Sequence, residues 1–174
     1  MELLMDLLKI VLPAGLVLYA MYLTVRTFVS KQFAEKQFDL KAETARTLLP
    51  IRLQAYERMT LFLERISPNN LLLRTYGQAT TVLEFQQLLL SEIREEFNHN
   101  LSQQVYMSHE AWELIRQAVN QVMTVVNAAS QSVAPEAPAI ELSRRIFDIL
   151  LQQQIDPTAE ALHFIKDEVK ANFM

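Results

Sequence analysis

Two tetrapeptides carry the residue types of metal ligation: Glu96-Phe97-Asn98-His99 and Glu160-Ala161-Leu162-His163. A glutamate and a histidine three residues apart bring a carboxylate oxygen and an imidazole nitrogen to one side of a helix. Di-iron bundles use two such motifs plus two further glutamates, all projecting inward. Glu57 and Glu113 are available as that further pair. Such a centre would make the chain an oxidoreductase-type metalloprotein.

Helical phase argues against it. With Phe97 as the middle of its apolar stripe, Glu96 lies about 100° away and His99 about 160° away, on the polar back of the helix. With Leu162 at zero, His163 lies about 100° off and Glu160 about 160° off. Ligands of a core metal must share the buried face, so Glu96, His99, Glu160 and His163 form the weaker reading and no cofactor is expected. His109 follows Ser108, a helix cap, and reads as a solvated first-turn residue. Ser67 is also explained as a cap, and no Ser–His–acid set is legible. Trp112, Phe62, Phe85, Phe97 and Phe147 read as core aromatics rather than a cofactor box.

Composition narrows the classes further. The 174 residues include only two glycines, Gly15 and Gly77, and no cysteine. Glycine-rich phosphate loops and hairpin-rich β folds need residues at positive φ, so both are disfavoured. Disulfides, zinc knuckles and thiol nucleophiles are excluded. A net charge of −4 gives a nucleic-acid partner little support. Arg144-Arg145 is too small a basic patch for nucleic acid or for a polybasic lipid site.

The elements that must position these residues begin with an apolar segment. Ile10 to Val25, IVLPAGLVLYAMYLTV, holds no charge. Extended to Leu7–Val29 it would measure about 34 Å as a helix, enough for a hydrocarbon core of about 30 Å. A cleaved signal peptide fits poorly, because the chain starts with Glu2 and Asp6 and lacks a small-x-small site after the run. Residues 1–29 are therefore expected to be a transmembrane anchor. Lys9 alone precedes the run, whereas Arg26, Lys31, Lys36 and Lys41 follow it. The positive-inside bias puts the N-terminus outside and the C-terminal bulk in the cytoplasm.

Residues 30–49 form a helical stalk with a thin apolar face of Phe33, Phe38, Leu40, Ala42 and Ala45. Pro50 disfavours α geometry at Leu49 and predicts a break or kink there. From residue 50 to 174 the pattern is helical throughout. Ile51, Ala55, Met59, Phe62, Leu63 and Ile66 recur at helical spacing. Ser67-Pro68 restarts the helix and Gly77 ends a short turn. Thr81-Val82-Leu83-Glu84 is a capping box. Behind it runs an i+4 ladder of Phe85, Leu89, Ile93, Phe97, Leu101 and Val105. Ser108 caps a helix striped by Trp112, Ile115, Val119, Val122, Met123, Val126 and Ala129. QSVAPEAP, residues 131–138, is a loop. Leu142, Ile146, Ile149 and Leu150 mark the next helix. Asp156-Pro157 starts the last, with Leu162, Ile165, Val169 and Phe173. The fold class is all-α: one transmembrane helix, a stalk and a bundle of about four to five helices.

The stretch Leu49-Pro50-Ile51-Arg52-Leu53-Gln54-Ala55-Tyr56-Glu57-Arg58-Met59-Thr60-Leu61-Phe62-Leu63-Glu64-Arg65-Ile66, with Ser67-Pro68 and Leu71–Arg74, resembles an uncharacterised family of Bacteroidota bacteria. So does Glu95-Glu96-Phe97-Asn98-His99-Asn100-Leu101-Ser102-Gln103-Gln104-Val105-Tyr106, followed by Trp112. The resemblance covers most of the chain, to Phe164–Lys170. It implies a small single-pass protein with one helical domain in a Gram-negative inner membrane, and it implies no reaction and no catalytic residues.

The residues and the resemblance together point to a non-enzymatic, membrane-anchored domain that binds another protein as adaptor, scaffold or subunit. Phe33, Phe38, Tyr106 and Phe164 are the candidate contacts. Self-association stays open, although Gly15 has Val11 and Tyr19 at i−4 and i+4 and offers no small-residue pair. The rival readings are the di-iron bundle and a binder of lipid or another apolar ligand, which would need a cavity lined by Phe, Leu and Met.

Overall fold

In the computed structural model residues 2–173 are described, with the side chains of 2–8, 10–14, 34 and 40–42 outside that description. Six α-helices follow in order: α1 Glu2–Ile66, α2 Pro68–Thr75, α3 Val82–Asn100, α4 His109–Gln131, α5 Ala139–Gln153 and α6 Ala159–Phe173. A 3-10 segment, Leu101–Tyr106, joins α3 to α4. No strand occurs among the described residues. The chain divides into two compact units between Leu48 and Leu49.

The first unit is helix alone. Among its described side chains every one is exposed, including Leu16, Leu18, Tyr22, Phe28, Phe33 and Phe38. No helix, taken over the described residues, is long and apolar enough to cross a membrane. The transmembrane reading of Leu7–Val29 therefore gains no support from that measure. The side chains of Leu7, Leu8 and Ile10–Ala14 of the run lie outside the description, as do those of Leu40 and Ala42 of the stalk face.

Of the break or kink expected at Pro50, the break is absent, since the helical backbone continues through Leu49 and Pro50 to Ile66. Proline in a helix interior forfeits one hydrogen bond, here to the carbonyl of Arg46, at a cost of about 3 kcal/mol. Residues 43–51 are all exposed. Water can therefore take the freed carbonyl, and the good helix formers on both sides carry the turn across.

The second unit closes around one apolar core. The final part of α1 contributes Ala55, Tyr56, Met59, Phe62, Leu63 and Ile66, all buried. Tyr56, Met59, Leu63 and Ile66 repeat at alternating spacings of three and four, which keeps one helical face toward the bundle. Ile51, expected on that face, is exposed, because the face passes through Arg52 instead. α2 adds Leu71 and Leu72, and α3 adds Val82, Phe85, Leu89 and Ile93. α4 supplies Trp112, Ile115, Val119, Val122, Val126 and Ala129. Leu142, Ile146 and Ile149 come from α5, and Ala161, Leu162 and Ile165 from α6. Full burial of a large aliphatic or aromatic side chain contributes about 1.5–3 kcal/mol.

The caps set the helix starts. Glu84 Oε2 accepts from the Thr80 and Thr81 backbone amides at 3.0 and 3.3 Å, and Thr81 Oγ1 accepts from Glu84 N at 3.3 Å, completing the capping box. Ser108 Oγ accepts from Ala111 N at 3.1 Å. Gly77 sits at φ +77° after α2, a left-handed geometry that glycine adopts without strain. The loop after α4 is stitched to the entry of α3: Val82 N donates to the Ala137 carbonyl at 2.9 Å and Ala139 N to Thr80 O at 3.0 Å.

Three further expectations are corrected. The i+4 ladder stops at Phe97. α3 ends at Asn100, and Leu101 and Val105 are exposed on the 3-10 segment, whose period of three takes them off the stripe. Asp156 does not start α6. Its carboxylate instead accepts from Thr158 N at 3.0 Å and from Thr158 Oγ1 at 3.1 Å, closing a turn ahead of Ala159. Phe147 lies exposed beside α5's buried stripe rather than in the core.

Candidate functional site

The richest cluster of ionisable side chains lies where the end of α1, α2 and α3 meet. A cleft of about 570 Å³ is lined by Arg65, Arg74, Glu92, Glu95, Glu96 and His99. On α3, Glu92, Glu95, Glu96 and His99 recur at i, i+3, i+4 and i+7, so helical phase alone puts them on one face. The arginines come from other elements: Arg65 from the last turn of α1 and Arg74 from the last turn of α2.

Arg65 Nη2 meets Glu96 Oε1 at 2.5 Å, and Arg74 Nη1 pairs with a Glu92 oxygen. Glu95 accepts from Ser91 Oγ at 2.8 Å. The Nε and Nη2 of Arg74 are buried and find no acceptor among the described residues. Two of the three carboxylates are thus held by guanidinium groups, and the cleft works as an electrostatic tie among three helices.

The second Glu-x-x-His motif lies elsewhere. His163 lines a different cavity, of about 520 Å³, whose walls include Glu64, Ser67, Asp156, Leu162 and Lys166. His163 Nδ1 stands 3.4 Å from Asp167 Oδ2, and Lys170 Nζ is 3.5 Å from the same carboxylate. The hydrogen bond from the His163 imidazole first, and then Lys170, hold the Asp167 carboxyl below the usual carboxylate range. Glu160 is exposed in the first turn of α6. The four sequence candidates therefore do not converge, and no group of three or more metal-ligating side chains is assembled among the described residues.

A second polar cluster was not legible as a site. Tyr56 is buried in α1, and its hydroxyl has no hydrogen-bond partner among the described residues. Burial, and then the facing Glu168 carboxylate, push its phenol above the ordinary range, with Arg52 acting in the opposite direction. The Phe173 ring meets Tyr56 edge-on at 5.8 Å, and the Arg52 guanidinium lies 5.2 Å above the same ring. Arg52 Nε also donates to the Tyr106 carbonyl at 3.3 Å, and Ser108 Oγ donates to Glu168 at 3.0 Å. The i,i+4 spacing of Arg52 and Tyr56 was the one signal in the sequence.

Of the proposed contact residues, Phe33 and Phe38 are exposed, whereas Tyr106 and Phe164 are half-buried. Trp112 stacks on Phe97 at 5.6 Å, and Phe97 lies 6.0 Å from Phe62, so these three rings are packing groups.

No curated protein and no solved structure matches the chain. Residues 2–172, nearly the whole length, match one family, and the chain belongs to it: DUF7935, a family of unknown function.

Proposed function

We propose that the protein is a membrane-tethered helical domain that binds another protein as adaptor, scaffold or subunit, without catalysing a reaction. The observation that carries the tether is the exposure of Leu16, Val17, Leu18, Tyr19, Met21, Tyr22, Leu23, Val25, Phe28 and Val29 on consecutive turns of α1. A helix that is apolar on every side has no solvated face. Its apolar area, far beyond the few hundred Å² usual on a soluble surface, calls for lipid or protein around it. Lipid is favoured by the adjoining uncharged residues Ile10–Ala14 and by the cationic flank that follows.

On this reading the segment Leu7–Val29 sits in a bacterial inner membrane with its N-terminus outside and the bundle on the cytoplasmic side. The non-enzymatic part rests on the site chemistry. Glu92 and Glu96 are committed to arginines, and no nucleophile–base pair was found in the sequence. Phe33 and Phe38, exposed on the stalk, are the first choice for protein contact.

Extraction of native membranes with alkaline carbonate tests the tether: the full chain stays in the pellet, and its appearance in the wash overturns the proposal. A periplasm-dependent reporter enzyme fused after Met174 stays inactive on this topology, and activity there reverses the orientation.

A further inference from the structure

α6 is held by two different kinds of contact along its length. Its first half is seated by Ala161, Leu162 and Ile165, all buried. After Ile165 no described residue is buried: Lys166, Asp167, Lys170, Ala171 and Asn172 are exposed, and Glu168, Val169 and Phe173 are half-buried. What fixes this second half is the Ser108–Glu168 hydrogen bond, the edge contact of Phe173 with Tyr56, and Arg52 over the Phe173 ring. Between it and α1 lies an open groove of about 350 Å³, lined chiefly by Leu53, Tyr56 and Thr60 on one side and Ile165, Val169 and Lys170 on the other. The packing is therefore incomplete where the second half of α6 lies on α1.

Beneath the clasp sits the Tyr56 hydroxyl, buried and facing the Glu168 carboxylate and Arg52 without a well-formed hydrogen bond to either. An unmatched buried hydroxyl disfavours the closed arrangement and is relieved as soon as water reaches it. We propose that Lys166–Phe173 is a clasp that opens as one unit by local unfolding while Ala159–Ile165 stays docked, exposing Tyr56 and the groove-lining face of α1. The bundle then has two states, closed and open, and anything that binds the uncovered face selects the open one.

Terminal fraying is the plain alternative, and amide hydrogen exchange on the full chain in detergent micelles, repeated at low urea, separates the two. A clasp gives the amides of Val169–Phe173 one shared opening rate with one urea sensitivity, at least about tenfold faster than Leu162–Ile165. Tyr56→Phe removes the unmatched hydroxyl and slows that opening by several-fold, up to about tenfold. Phe173→Ala speeds opening of residues 166–172 and leaves Leu162–Ile165 unchanged. A residue-by-residue gradient indifferent to Tyr56 means fraying and overturns the proposal. So does a Tyr56→Phe protein that opens at the same rate or faster, or a Phe173→Ala protein in which both halves of α6 speed up together.

Discussion

Every buried residue among those described lies between Ala55 and Ile165, and none comes from the unit ending at Leu48. Cutting the chain just before Leu49 therefore removes no core. The fragment 49–174 should fold on its own and remain dispersed without detergent. Cutting eighteen residues later, before Ser67, removes Tyr56, Met59, Phe62, Leu63 and Ile66 from the same core. At about 1.5–3 kcal/mol per buried side chain this withdraws about 8–15 kcal/mol. That is comparable with the whole stability of an ordinary domain, about 5–15 kcal/mol. The fragment 67–174 should then be unfolded or molten, with helical far-ultraviolet circular dichroism weakened and tryptophan fluorescence shifted toward that of exposed Trp112. The assay is a pair of thermal melts by circular dichroism, with amide dispersion in a proton–nitrogen spectrum as the check on unique packing. A fragment 49–174 that fails to melt cooperatively would refute the reasoning, because it would mean that the exposed first unit supplies folding energy. A cooperative fragment 67–174 would refute it equally, by showing that the last part of α1 is not a wall of the core.

Other outcomes follow from single contacts. Gln154 ends α5 at φ 51°, where a side chain is strained, so Gln154→Gly should raise stability by about 0.5–1 kcal/mol and the melting temperature by a few degrees. Glu92→Ala leaves the half-buried Arg74 guanidinium, whose Nε and Nη2 already lack acceptors, without its carboxylate partner; chemical denaturation should show a loss of about 1–2 kcal/mol. Removal of the surface partner Glu141 from Arg144, by contrast, should cost no more than about 0.5 kcal/mol. The Glu84 carboxyl is held below its ordinary value first by the Thr80 hydroxyl and then by the Thr80 and Thr81 amides. Its contribution is present above the unfolded value near 4.5 and is lost as pH falls through the lower folded value. The melting temperature should drop over that acid range, and Glu84→Gln should flatten that part of the profile.

Much of the bundle could be read from spacing because its helices are amphipathic and well capped. Thr81 and Glu84, Ser108, Gly77 and the α4 stripe all act through neighbours a few residues away, so local sequence specifies them. The errors came where a local rule met a condition set elsewhere. Proline disfavours a helix interior, but residues 43–51 are all exposed, so water can reach the carbonyl that the missing amide abandons. Leu101 and Val105 continue an i+4 pattern only while the helix keeps 3.6 residues per turn, and the tightening after Asn100 rotates both out. Tyr56 carries no such signal, because its ring fills the core while its hydroxyl stays poorly matched, and no periodicity encodes that conflict.

The charged face of α3 shows why a motif of the right residue types need not be the site it suggests. Glu96 and His99 do share a cleft, which spacing along one helix guarantees. Ligation would require the carboxylate to remain available, and a nearby guanidinium decides that. Arg65 and Arg74 arrive from the ends of two other helices, one of them turned by Ser67-Pro68, so their approach depends on tertiary folding rather than on any local pattern. Once they pair with Glu96 and Glu92, a divalent cation entering the cleft would have to displace two charge-assisted bonds and leave Arg74 with still fewer acceptors. The same ion pairs that weaken a catalytic reading strengthen a structural one, because they tie the end of α1 and the end of α2 each to α3.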